Sequence, residues 1–191
     1  SRFSHAHSHI VATPFTPKRI EEELSGAQEY HHRKERCAFC DTLAEESHLR
    51  ARLVVERPGF IAFAPYASQH PYETWVVPTI HAADFDTTPD DVLDELAEVL
   101  LDLLGRLRTV LDAPPFSVAL HAGPHDGSHA ADYHWHWEVV PLVGQELGME
   151  WATGIVSNPI PPEAAADTLR RARDAGPRSG ATRASGPGRA T

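Results

Sequence analysis

The longest hydrophobic pattern in the chain runs from Val92 to Leu111. Val92, Leu93, Leu96, Leu100, Leu103, Leu104, Leu107 and Leu111 recur at helical spacing and make one wide apolar stripe. Such a stripe must pack on a sheet. Thr88-Pro89-Asp90-Asp91 supplies a cap-and-proline start, and Pro114-Pro115 ends the helix. An earlier helix opens at Thr16-Pro17 and carries Ile20, Leu24, Ala27 and Tyr30 on one face. Short apolar runs predict strands at 52–56 and 60–64, turned by Pro58-Gly59, and at 73–78, 116–121 and 133–141. Met149–Val156 reads as another strand and Glu163–Arg173 as a short helix. Antiparallel strands with helices on one face give the class α+β. From Gly176 onward Gly, Pro, Ser, Ala and Arg dominate without any period, so 176–191 is expected to be a disordered tail.

Composition narrows the function classes. With 191 residues, 41% of them hydrophobic, the chain can bury a real core. Its formal net charge of −10 argues against a broad nucleic-acid surface but leaves room for a nucleotide pocket. No run reaches about 18 apolar residues, so no membrane span is expected. No signal peptide is expected either, because the chain opens on polar residues and histidines. Cys37 and Cys40 are its two cysteines, too few for a disulfide framework, and a reducing, cytoplasmic location is the default.

The candidate chemistry lies in the 13 histidines. In Ser4-His5-Ala6-His7-Ser8-His9 three of them alternate ahead of Ile10-Val11-Ala12, which reads as a strand with three imidazoles on one face. One face of this kind can hold a metal, a phosphate or a nucleophile, and an imidazole both attacks phosphorus and leaves again readily. A merely histidine-rich terminus is the bland alternative. Tyr133-His134-Trp135-His136-Trp137-Glu138-Val139 repeats the alternation, with Glu138 where His9 stands, a short signal of internal duplication. Cys37-Ala38-Phe39-Cys40 is ambiguous between a redox pair, half of a zinc site and chance. A zinc site needs two further ligands, for which His81 and His134 are candidates. Glu21-Glu22-Glu23 lies in the first turns of the early helix, where the helix dipole favours acids. It is ordinarily a solvated face, although one carboxylate can reach a metal.

The ordered set is more specific than any member of it. H-x-H-x-H, C-x-x-C, a strand ending P-x-x-H, H-W-H-W-E-V-V-P and N-P-I-P-P-E follow one another between Ser4 and about Arg173. In this order they resemble the galactose-1-phosphate uridylyltransferases, a branch of the histidine-triad superfamily. The resemblance implies a histidine-triad-like antiparallel sheet in two similar halves. Residues 1–34 would end an incomplete first half and 35–175 would form the second. It further implies a preceding segment supplying much of the nucleotide pocket, without which this chain would be inactive alone, and a homodimer when the protein is full length.

By that resemblance His7 is the covalent nucleophile. It takes a uridylyl group from UDP-glucose and passes it to a hexose 1-phosphate, so the partners are a UDP-sugar and a sugar 1-phosphate. His9 stands where uridylyltransferases usually have Gln, a departure toward hydrolases or phosphorylases. His5 and Glu150 would contact substrate. Cys37, Cys40, His81 and His134 would bind zinc, and Glu23, His121, His136 and Glu138 a second zinc or an iron. A third reading, from a different class, is a metal-stabilised fragment without activity.

Overall fold

The computed structural model describes residues 7–10, 13–143 and 148–172. The elements are α1 (Lys18–Lys34), α2 (Ala38–Leu49), β1 (Leu53–Glu56), β2 (Phe60–Phe63), β3 (Thr74–Pro78), α3 (Asp90–Leu111), β4 (Phe116–His121), β5 (His136–Pro141), α4 (Gly148–Thr153) and α5 (Pro162–Ala172). The strands form one antiparallel sheet in the order β1-β2-β3-β5-β4. The α+β class and the antiparallel sheet are as the sequence implies.

The helices are not confined to one face, and the reason is legible in β2. All four residues of Phe60-Ile61-Ala62-Phe63 are buried. A strand buried on both sides needs cover on both sides. Phe60 and Ala62 point to Leu96, Val99, Leu103 and Leu107 of α3 and to Ala166 and Leu169 of α5. Ile61 and Phe63 point the other way, to Leu43 of α2 with Leu53, Val77 and Trp75. On that second face α1 also docks, through Ala27 and Leu24 against Ala83, Tyr133 and Phe39. Truncating Leu103, fully buried beneath the α3 stripe, to alanine is expected to cost about 2–5 kcal/mol. The urea midpoint checks it.

Ion pairs fasten α5 to the sheet. Arg52 donates to Glu46 and Glu163, at 2.7 and 3.0 Å, joining α2, β1 and α5. Arg106 of α3 donates to the Leu169 carbonyl near the end of α5. Asn158 Nδ2 donates to the Ser68 and His70 carbonyls. The N-P-I-P-P-E stretch thus holds a loop and a helix in place.

Three elements depart from the sequence reading. Residues 7–10 form no strand and are exposed. An extended run becomes a strand only when a neighbour completes its ladder, and among the described residues none pairs with it. Met149–Val156 holds a helical turn rather than a strand. α4 closes at Gly154, whose φ of +71° admits the turn that returns its N–H to the Glu150 carbonyl. α2 has no counterpart in the sequence reading, because it buries Glu46 beside Leu43. A buried acid breaks the apolar pattern by which a helix is recognised. The expected tail, 176–191, lies outside the described residues.

Candidate metal centres and the histidine segment

The first donor set forms where α2 begins. Cys37 and Cys40 sit one turn apart at its N-terminus, and α2 is held on the sheet through Leu43. His81 follows β3, and His134 immediately precedes β5. The loop ends are drawn together by backbone bonds from Gly123 N–H to the Ala83 carbonyl and from Trp135 N–H to the Ala82 carbonyl, both 2.8 Å. Gly123 suits this close approach, since a Cβ would stand 3.2 Å from the Ala83 oxygen and push the two loop ends apart by a few tenths of an ångström. One donor atom each from Cys37, Cys40, His81 and His134 then lies within 4.8 Å of every other. Cys40 Sγ is 3.3 Å from His81 Nδ1 and 3.6 Å from His134 Nδ1.

The surrounding bonds orient these groups as ligands. His81 Nε2 lies 2.9 Å from the Ala130 carbonyl. A carbonyl only accepts, so Nε2 carries the proton and the Nδ1 lone pair faces the sulfur. Burial, reinforced by His81 and His136, pushes His134 down to about 4 and keeps it neutral. Burial and the adjacent Cys37 push the Cys40 thiol up to about 12. A Cys40 thiolate here therefore calls for a cation beside it. Two sulfurs and two imidazoles in a tetrahedral-sized cluster suit zinc.

The second set joins α1 to the far edge of the sheet. Glu23, His121 and His136 place one donor atom each within 4.8 Å of one another. His121 and His136 are a cross-strand pair of β4 and β5, so their side chains share a face. Glu23 Oε2 is 2.8 Å from His121 Nδ1, and Glu23 Oε1 is 3.4 Å from His136 Nε2 and accepts the Tyr133 hydroxyl at 2.8 Å. His136 Nδ1 donates to the His134 carbonyl, while its buried Nε2 has no hydrogen-bond partner. An orphaned buried imidazole nitrogen aimed at a carboxylate is what a ligating histidine presents. Trp75 stacks on His136 with centroids 4.9 Å apart, and the buried Glu73 accepts the Trp75 indole N–H.

Burial pushes His136 down to about 4 despite Glu23 nearby. Burial would lower His121 as well, but its bond to Glu23 outweighs that and raises it. Burial opposes ionisation of Glu23, yet His121, His136 and Tyr133 together hold it below the usual carboxylate range. Glu138, the remaining expected ligand, stands 3.4 Å from His121 Nε2. Both of its oxygens accept from Arg19 Nη2, at 3.0 and 2.8 Å. Burial raises its pKa.

The titrations set a pH dependence. The two depressed imidazoles refuse protons when folded that the unfolded chain takes up below pH 6.5. Stability is therefore lost as pH falls from 6.5 toward 4, by up to about 3 kcal/mol for each imidazole. Glu23 adds to the loss at still lower pH, whereas the raised His121 contributes in acid and fades as pH rises through its own value. Melting with a chelator present, so that proton uptake alone is read, is expected to show Tm falling from pH 7 to pH 4. A flat profile would contradict the two buried neutral imidazoles.

The remaining site residues lie apart. His7 and His9 are exposed, their rings edge-on with centroids 4.7 Å apart. His5 lies outside the described residues. Glu150 Oε1 accepts the Ser157 N–H at 2.9 Å in the α4 segment. Two residues escaped the sequence reading. Arg19 carried its signal in plain view, four positions before Glu23 and thus on the same helix face. Tyr133 opens the second histidine motif, but nothing local indicates that its hydroxyl bonds Glu23. A third group, Asp84, Asp86 and His125, is partly exposed and ordinary for surface carboxylates.

The sheet, its helices on both faces and the alternating imidazoles before and within its inner strand define a histidine-triad-like domain. A zinc-bound histidine triad family protein from Mycobacterium smegmatis shares this fold, with TM-score 0.52 and 22% identity over 73% of this chain and 94% of that one. No protein-family model matches the chain. Among curated proteins it is 29% identical over 169 residues to ADP-glucose phosphorylase of Arabidopsis thaliana, covering 87% of this chain and 47% of the relative. It is also 29% identical over 176 residues to galactose-1-phosphate uridylyltransferase of Thermotoga maritima, covering 87% and 54%. A crystal structure of an Arabidopsis thaliana ADP-glucose phosphorylase with bound ADP-glucose aligns with TM-score 0.75 and 27% identity, over 83% of this chain and 50% of that one. The resemblance carried by the motifs is thus shown. The chain holds a region similar in sequence and fold to galactose-1-phosphate uridylyltransferases and ADP-glucose phosphorylase, and it spans about half their length.

Proposed function

We propose that this region is the metal-clamped second half of a nucleotidyl-transferring enzyme, with the end of the first half attached. Residues 1–34 then close one histidine-triad-like half and 35–175 make the other. The observation that carries the reading is similarity over 87% of the chain to enzymes of one chemical kind. His7 is the nucleophile. A neutral ring nitrogen attacks the α-phosphorus of a nucleoside diphosphate sugar, and the sugar 1-phosphate leaves with the electron pair of the broken P–O bond. A second phosphate then displaces the imidazole from the nucleotidyl group, regenerating His7. A hexose 1-phosphate as that acceptor makes the enzyme a uridylyltransferase of galactose metabolism. Inorganic phosphate makes it a phosphorylase, a second reading favoured by the ADP-glucose phosphorylase similarity and by His9 in place of Gln. His9 donates to the phosphoryl oxygens, and His5 and Glu150 contact substrate.

Cys37, Cys40, His81 and His134 would hold zinc, and Glu23, His121 and His136 a second zinc or an iron, with Glu138 alongside. Both ions would be clamps. The first fixes α2 and the β3 and β5 loops, and the second ties α1, and with it the chain leading from His7, to β4 and β5. The complete protein works as a homodimer in the cytoplasm, where Cys37 and Cys40 stay reduced. Among the described residues no helix is long and apolar enough to cross a membrane. Formation of a nucleotidyl adduct that depends on His7 tests the proposal.

A further inference from the structure

Arg19 sits on the same face of α1 as Glu23, four residues earlier, and turns one nitrogen onto both oxygens of Glu138. The Glu138 side chain is 5% exposed and that of Arg19 56%, so the carboxylate end of the pair is shielded from water while the guanidinium reaches it from solvent. A charge-assisted contact of this kind is costly to break where screening is weak. Recruiting Glu138 to a cation at Glu23, His121 and His136 would require breaking that contact and leaving the guanidinium facing the ion. Glu138 accordingly stands beside His121 but outside the three-residue donor set.

We propose that Arg19 withholds Glu138 from the coordination shell, so that in this chain the second centre is a three-donor site of two imidazoles and one carboxylate with an open position. Such a donor set suits a divalent first-row ion that can accept a small exogenous ligand. Arg19 is then a positioning residue that sets coordination number and affinity. The inference rests on the second metal centre proposed above.

Cobalt(II) binding to the full chain and its variants tests it. The site is identified as the cobalt that is lost in His136→Ala. Arg19→Met is expected to raise affinity there at least tenfold and to change the ligand-field spectrum as Glu138 joins the ion. Arg19→Lys, which keeps the charge without the guanidinium geometry, should move part of the way, and it serves if the methionine variant folds poorly. Both effects of Arg19→Met must vanish in the Arg19→Met/Glu138→Gln double variant. An unchanged affinity and spectrum in Arg19→Met would overturn the role of Arg19 while leaving the metal centre intact. A gain that persists with Glu138→Gln would overturn it too, by showing simple charge repulsion. Absence of any cobalt that His136→Ala removes would end the metal reading and the inference together.

Discussion

Replacing Cys37 and Cys40 together by serine is expected to release one equivalent of zinc and to destabilise the fold more than any single change in its core. The two sulfurs, His81 and His134 meet within 4.8 Å although they come from a helix start and two separate loop ends. Binding energy in such a site is folding energy, because the unfolded chain does not preform it. Structural zinc in small domains contributes about 10 kcal/mol or more to the bound, folded state. This region also has a hydrophobic core, centred on Phe60, Leu103 and Trp135, so it should keep part of its structure. The expected effect is a loss of several kcal/mol, within the reach of a buried ligand set. Stoichiometry by elemental analysis and the urea midpoint check it together. Full zinc content with an unchanged midpoint would mean that the cluster is two thiols near unrelated histidines.

How much of this was legible in the sequence differs from residue to residue. The α3 stripe, the β1–β2 turn at Pro58-Gly59 and the strands β3, β4 and β5 follow from period and punctuation alone. These signals are local, and the packing agrees with them. The donor sets were legible only as an ordered series of motifs, since nothing local says that Cys37 and His134 meet. α2 was hidden because its buried Glu46 contradicts an apolar face, and the Arg52 guanidinium that pairs with one of its oxygens gives no local signal of a helix. The histidine segment misled in the opposite sense. His5, His7 and His9 alternate as a strand should, yet alternation records a face to be buried and not the partner that completes the ladder. Arg19 shares a helix face with Glu23, but an arginine on a charged helix is usually solvated, so that spacing alone did not single it out. Its meaning comes from Glu138, 119 positions away.

The second large effect concerns His7. Substitution of this one imidazole is expected to abolish nucleotidyl transfer in the complete gene product, a loss of several orders of magnitude, because no neighbouring group replaces a covalent nucleophile. His7→Gly removes the attacking nitrogen without adding bulk. His9→Gln should behave differently. An amide still donates to the phosphoryl oxygens but does not titrate near neutrality. Transfer should persist in that variant, and leakage of the nucleotidyl group to water should fall. The 191-residue chain alone should transfer very slowly, since it spans about half the length of the enzymes it matches and leaves His7 exposed.

The most direct measurement is the intact mass of the complete gene product after incubation with UDP-glucose and, in parallel, with ADP-glucose. The expected result is the gain of one uridylyl or adenylyl group per chain, labile to acid, stable to base and absent from His7→Gly. The nucleotide that labels, together with the acceptor that discharges it, a hexose 1-phosphate or inorganic phosphate, separates the transferase from the phosphorylase. Labelling of His7→Gly at the parent's rate, or no adduct with either sugar nucleotide while turnover proceeds, would contradict it.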